Sequence, residues 1–258
     1  LRSYISHRKD KFLVTVILFT YRYHVKRISP EFPANFNWLI DLCRDEQAGP
    51  MKILIFFQST DRLGSAYDYV TYNIAQSPYD RDRKVFMYHR DTDPSTKSEI
   101  MSELQQESTT LKVVLCTSSF SLGLNLPGIN YVIHYSPPRT IEEYVQETGR
   151  VARERNSHGH AILLMHAGCM RGRKLELDMK QYATEQDCLR QQINAKFRYP
   201  YDEGLDKSLC CDQCNWDPAL APLVPMILSN NDPGEYDPVY DQDTDYDSNS
   251  LIDSDQLG

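Results

Sequence analysis

Lys112-Val113-Val114-Leu115-Cys116-Thr117-Ser118-Ser119-Phe120-Ser121-Leu122-Gly123-Leu124-Asn125-Leu126-Pro127-Gly128-Ile129 begins as a buried apolar strand. It then breaks into a loop punctuated by glycine and proline. A second apolar strand, Tyr131-Val132-Ile133-His134-Tyr135, follows at once. Further out, similar short runs recur at Lys52–Phe57, Lys84–His89 and His160–Met165, and helices are expected over Phe36–Cys43, Leu63–Ala75, Ser95–Gln106 and Ile141–Thr148. Pro33 and Asn35 supply start signals for the first of these helices. Short apolar strands alternating with helices predict an α/β fold whose parallel sheet is covered by helices on both faces. Such sheets bind ligands beyond the C-terminal ends of their strands. The loops carrying Ser59 and Thr60, His89, Thr117 and Ser118, and Gly123 and Asn125 fall there. The Thr117 hydroxyl has two readings, as a donor to a nucleic-acid phosphate or as a strand-end group satisfying backbone.

Downstream of the predicted helix 141–148 comes Gln146-Glu147-Thr148-Gly149-Arg150-Val151-Ala152-Arg153. Residues three apart on a helical turn share a face. A guanidinium is always charged and meets phosphate oxygens with two parallel hydrogen bonds. Two such groups suit the charge that develops on a transferring phosphoryl group. By spacing alone, a solvated basic helix end is an equal reading.

The third informative block is cysteine. Cys188 stands at the start of Cys188-Leu189-Arg190-Gln191-Gln192, and 22 residues later comes Cys210-Cys211-Asp212-Gln213-Cys214. One cysteine from a helix and three from a tight knot can close a tetrahedral thiolate site around zinc. A redox pair is the lesser reading, for want of a thioredoxin-like context. With no signal peptide recognised, a reducing compartment is expected and a disulfide framework is not. Cys43, Cys116 and Cys169 sit among apolar neighbours and read as small core residues.

In this order the segments resemble the second RecA-like domain of a superfamily 2 helicase. The octet at 146–153 resembles helicase motif VI of the RecQ family, Q-E-T-G-R-A-G-R, with Val151-Ala152 where the family has Ala-Gly. The loop after Thr117 resembles the family's T-x-A-F-G-M-G-I-D-K-P, with Ser121, Asn125 and Leu126 replacing Gly, Asp and Lys. Cys188-Leu189-Arg190 followed by Cys210-Cys211-Asp212-x-Cys214 resembles the zinc-binding subdomain that follows the helicase core in eukaryotic RecQ proteins. The resemblance covers roughly residues 35–216.

It implies an ATP-dependent 3′-to-5′ DNA helicase of the nucleus, working in repair or recombination on single-stranded or partly duplex DNA. Arg150 and Arg153 would reach ATP and Mg²⁺ held by a first RecA-like domain, and Gln146 would sense the γ-phosphate. Gly123, Asn125 and Gly149 would lie against the nucleotide, and Ser59, Thr117 and Ser118 against the strand. Cys188, Cys210, Cys211 and Cys214 would hold a structural zinc.

Charge and motif content bound that reading. The chain has 258 residues and a net charge of −8. From Asn230 onward there are nine Asp and Glu and no Lys or Arg, so the remainder carries +1. A strand-binding surface must then be a local patch. The segment Asp232–Gly258 has too little apolar surface to offset its ordering entropy and is expected to be disordered. It either solvates the chain or recruits a basic partner.

Phe12–Tyr21 is an apolar run of ten residues, where a bilayer span needs about 20. It reads as a buried strand, and no membrane association is expected. No G-x-x-x-x-G-K-[ST] phosphate loop occurs, and the Asp-Glu pairs at 45–46 and 202–203 do not follow buried strands. The chain is therefore expected to be incomplete as a motor and inactive on ATP by itself. The expected division is an unassigned segment 1–34, a helicase domain 35–170, a zinc subdomain 171–216 and an acidic tail 217–258. The second function class is a non-catalytic, zinc-stabilised module that binds nucleic acid or a partner.

Overall fold

The computed structural model describes residues 21–77, 83–106, 110–121, 126–149, 159–171, 174–184, 186–199, 207–229 and 231. Six strands, β1 (Tyr21–Arg27), β2 (Met51–Phe57), β3 (Val85–Tyr88), β4 (Leu111–Thr117), β5 (Tyr131–Tyr135) and β6 (Gly159–Met165), form one sheet in the order β1-β6-β5-β2-β4-β3. Every neighbouring pair is parallel. Between and after the strands run α1 (Asn37–Arg44), α2 (Thr60–Asn73), α3 (Pro94–Gln105), α4 (Ile141–Thr148), α5 (Leu177–Thr184), α6 (Leu189–Phe197) and α7 (Leu223–Ser229).

The expected α/β architecture is present, and side-chain alternation explains its two layers. Ile53, Ile55 and Phe57 of β2 join Trp38 and Leu39 of α1 and Leu63, Ala66 and Val70 of α2 in one core. Leu54 and Phe56, one residue out of phase, join Ile100 and Leu104 of α3, Tyr144 of α4, Tyr182 of α5 and Ile193 of α6 in the other. Successive strand residues point to opposite faces, and both faces are covered. The central strands therefore read as unbroken apolar runs instead of alternating ones. Cys43, Cys116 and Cys169 are buried in these cores.

Local chemistry sets the helix starts. Ser59 caps α2, Asp93 caps α3 with Pro94 next to it, and Thr140 caps α4. Each side-chain oxygen accepts a hydrogen bond from a first-turn N–H that has no partner within the helix. Lys52 closes the other end of α3. Its buried ammonium donates to the carbonyls of Leu104, Gln106 and Pro127 at 2.8, 2.8 and 3.0 Å, placing a cation at the negative end of the helix dipole.

Two expected boundaries move. The sheet starts at Tyr21, upstream of residue 35, and residues 12–20 of the apolar run lie outside the described residues. β1 is hard to see in the sequence because Arg22, His24 and Lys26 interrupt it. Each finds a partner: Arg22 donates to the Ser208 carbonyl, His24 Nε2 lies 3.2 Å from His160 Nδ1, and Lys26 pairs with Asp212 at 2.7 Å.

The segment after Trp216 is likewise described as far as Ser229, with Asn231 beyond it. Ala221, Leu223, Val224 and Ile227 are buried in the same core as Trp38 and Tyr131. Asn231 Nδ2 donates to the Asn35 and Ile227 carbonyls at 2.9 and 2.8 Å. In the sequence, the acidic composition of residues 232–258 masks this apolar helix. Those residues lie outside the described ones, and among the described residues no helix is long and apolar enough to cross a membrane.

Because Ile227 is fully buried, Ile227→Ala is expected to cost about 2–5 kcal/mol in urea unfolding. A change within about 0.5 kcal/mol, the usual range for surface sites, would return this segment to a solvated tail.

Candidate functional site

β2 and β4 end side by side, Phe57 opposite Thr117. Ser59 and Ser118 therefore emerge on the same edge of the sheet. Ser59 Oγ accepts from the Arg62 N–H at 3.5 Å. Thr117 Oγ1 lies 2.9 Å from Ser119 Oγ, so its partner is a side chain and not backbone. Ser118 is exposed and opens a short 3₁₀ turn, Ser118–Ser121.

Beside them lies a cleft of about 220 Å³ between the end of β2, the end of β5 and the turn after β6. It is lined by Ser59, Arg62, Ser136, His166, Gly168 and Arg171 among others, and among the described residues no lining residue is acidic. Ser136 holds a left-handed backbone, φ 80°, uncommon for a side-chain-bearing residue. Its hydroxyl is 3.0 Å from His166 Nε2. His166 Nδ1 donates to the Ala167 carbonyl at 3.0 Å, leaving Nε2 to meet the serine. Two guanidinium groups beside a helix N-terminus make this edge suited to phosphate oxygens.

α4 carries the second group of expected residues. Thr140 Oγ1 accepts from the Glu143 N–H at 3.0 Å, with Glu142 and Glu143 in the first turn. Gln146 is exposed, whereas Glu147 beside it is buried. The Glu147 carboxylate lies 2.8 Å from Nε2 of His134 on β5. The His134 ring stacks on Phe56 at 5.1 Å and sits 4.9 Å from Tyr144. Gly149 ends the helix, its N–H donating to the Val145 carbonyl at 2.9 Å. It is buried at φ −60°, a conformation open to any residue. Gly123, Asn125, Arg150 and Arg153 lie outside the described residues.

The structure brings the four expected metal ligands together. Cys188 stands at the N-terminus of α6, and its Sγ lies 3.5 Å from that of Cys210 and 4.0 Å from that of Cys211. All four Sγ atoms, Cys214 included, fall within 4.8 Å of one another. A tetrahedral zinc with bonds of about 2.3 Å would space its sulfurs by roughly 3.8 Å, so the set fits one metal ion. Hydrogen bonds from the Cys210 and Cys211 thiols pull the Cys188 thiol down to about 2. Its hydrogen bond to Cys188 holds the Cys210 thiol well above the thiol range, and burial pushes Cys214 up to about 12. Sulfurs packed this closely shed their remaining protons only against a cation.

Backbone joins this cluster to the sheet. The Tyr23 N–H donates to the Cys210 carbonyl at 3.3 Å, and the Asp212 N–H donates to the Tyr23 carbonyl at 3.0 Å. The buried guanidinium of Arg190 donates to the carbonyls of Tyr21, Leu209 and Cys210.

The reading of the sequence did not anticipate Arg62, Ser136, His134, Glu147, His166 or Arg171. Glu147 carried a signal, because it falls in the apolar stripe Ile141, Tyr144 and Thr148 of its helix. A carboxylate there needs a buried partner. Ser136 and His166 are joined only by the sheet, across 30 residues.

Residues 34–155 match the family model of the helicase conserved C-terminal domain. Among curated relatives, an ATP-dependent DNA helicase RecQ from Pasteurella multocida is 32% identical over 81 residues, 31% of this chain and 12% of that protein. The ATP-dependent RNA helicase DBP7 of Yarrowia lipolytica is 26% identical over 55% of this chain and 19% of its own length. The ATP-dependent helicase SGS1 of Saccharomyces cerevisiae is 25% identical over 51% and 10%. A solved structure described as Mss116p DEAD-box helicase domain 2 bound to an RNA duplex is 15% identical, with a TM-score of 0.46, covering 82% of this chain and 76% of that one. Just under half of the chain thus matches a helicase C-terminal domain, and the chain spans less than a fifth of the length of these three curated relatives.

His134→Phe keeps a ring against Phe56 but removes the hydrogen bond to Glu147. It is expected to lower stability by roughly 1.5–3 kcal/mol, the worth of a hydrogen bond to a charged group. An unchanged urea midpoint would show that the pair contributes nothing.

Proposed function

We propose that this chain is the second motor domain and zinc-binding subdomain of a RecQ-like, ATP-dependent 3′-to-5′ DNA helicase, acting in the nucleus in repair or recombination. The observation that carries this reading is the four-cysteine cluster, bonded through backbone to β1 and lying C-terminal to the matched segment 34–155. DNA and RNA helicases are similarly close over the helicase domain itself. The cysteine cluster is what favours the RecQ branch.

In this reading Arg150 and Arg153 leave the end of α4 to meet ATP and Mg²⁺ held by a first RecA-like domain on another part of the protein. Bound there, the nucleotide supplies the phosphoryl group, and the arginines answer the charge that develops on it. Exposed Gln146 reports on the γ-phosphate, and Gly123, Asn125 and Gly149 line the approach. Ser59, Thr117 and Ser118 meet strand phosphates without reading sequence, and Arg62 and Arg171 add charge on the same edge. Cys188, Cys210, Cys211 and Cys214 hold a structural zinc with no open coordination position. The acidic segment after Asn230 takes a basic partner.

Cys211→Ser is expected to take bound zinc from one per chain to none by elemental analysis, with loss of protection over residues 188–214. Unchanged stoichiometry would remove the metal assignment. In a mixture with a separately purified first domain, Arg153→Ala is expected to reduce ATP turnover by roughly 10³-fold or more, with single-strand affinity preserved. Equal turnover would remove the arginine assignment. Preference for single-stranded RNA over DNA in competition binding would favour the RNA-helicase relatives instead.

A further inference from the structure

A run of buried aromatic rings crosses from the cysteine module to the end of α4, and the motor reading has no use for it. Tyr21, Tyr23, Tyr144 and Tyr182 are all buried to within 2%. Tyr23 bonds through its own N–H and carbonyl to Cys210 and Asp212, so its ring leaves the very backbone that the cysteine knot grips. The guanidinium of Arg190, two residues after Cys188, lies over that ring at 5.2 Å. The ring centroid is 5.0 Å from Tyr21 and 6.4 Å from Tyr144 on α4. Tyr144 in turn meets Tyr182 of α5 at 5.1 Å and His134 at 4.9 Å. The Tyr21 hydroxyl reaches Thr148 Oγ1 at 3.5 Å, on the last residue of α4.

The last turn of α4 is therefore held from two sides. Glu147 ties it to the sheet through His134, and Tyr144 and Thr148 tie it to the two tyrosines of β1. Arg150 stands two residues beyond Thr148 in the chain. Where that turn lies decides where the arginine segment starts, and misplacing a catalytic group by about 1 Å can cost about a hundredfold in rate.

We propose that Tyr23 and Tyr144 are positioning residues through which the metal-loaded cysteine module fixes the last turn of α4, and with it the departure of the segment carrying Arg150 and Arg153. The link to the arginines rests on the catalytic role proposed for them. The link from cysteine module to helix stands on the ring and backbone contacts alone. Tyr23 meets the module through its backbone and meets Tyr21, Tyr144 and Arg190 through its ring, so it is the ring that transmits the constraint.

The test is amide hydrogen exchange on the full chain loaded with zinc, with α2 as internal reference. Tyr23→Leu is expected to speed exchange at Tyr144–Gly149 by about tenfold or more, leaving α2 unchanged and zinc bound. Tyr23→Phe, which keeps the ring, is expected to restore the slow rate. Chelating the zinc is expected to speed the same amides in the unsubstituted chain but to add nothing further in Tyr23→Leu, because contacts in series are not additive. The proposal is overturned by unchanged exchange in Tyr23→Leu, by failure of Tyr23→Phe to rescue, or by a full chelation effect persisting in Tyr23→Leu. Loosening that spreads equally to α2 would also overturn it, since the module would then hold the whole fold. A chain that binds no zinc removes the metal reading, and the two Tyr23 variants still decide whether the ring positions the helix.

Discussion

The outer edge of β1 is the constraint on which the rest of this structure depends. An edge strand presents a row of N–H and C=O groups that must meet water or another strand, and a buried one without a partner is costly. Here Cys210 and Asp212 take both groups of Tyr23. That pairing makes the sheet and the cysteine module one packed body. It also explains polar burial that would otherwise be unfavourable, because Arg22, His24 and Arg190 all spend their charge or polarity on this junction. Burial lifts the Asp212 carboxyl above its usual range, and Lys26 at 2.7 Å works against that rise.

The candidate surfaces derive from strand direction. Because all six strands run the same way, Ser59, Thr117 and Ser118 emerge on one edge, and the arginine-lined cleft opens beside them. α4 packs near the Ser118–Ser121 turn with Gln146 exposed and Glu147 buried. One helix thus carries both an exposed polar group and the buried carboxylate that orients it. Under the proposed function the cysteine cluster is structural. It is bonded to β1, and the buried tyrosines of β1 in turn contact α4.

Much of this was legible in the sequence because burial on both faces leaves a plain mark. β2, β4, β5 and β6 are apolar runs, and each was placed to within a residue or so. The cysteines were equally plain, since few chemistries need four thiols at that spacing. β1 was not legible, because its Arg and His are buried and its Lys half-buried only by virtue of Ser208, His160 and Asp212, 136 to 186 residues away. α7 was hidden by the acidic residues after it. At the site, Ser59 could be placed at a strand end, but its use as the cap of α2 depends on where the helix starts. The His134–Glu147 pair joins residues of two separate elements, which no local pattern reveals.

The proposed function turns on arginines that this chain would donate to a nucleotide held by a first helicase domain. DNA-stimulated ATP hydrolysis, measured for the purified chain alone and mixed with a separately expressed first helicase domain, tests it most directly. The account predicts turnover only in the mixture. Hydrolysis by the chain alone would contradict it, and so would a silent mixture in which both folded partners bind each other and the strand.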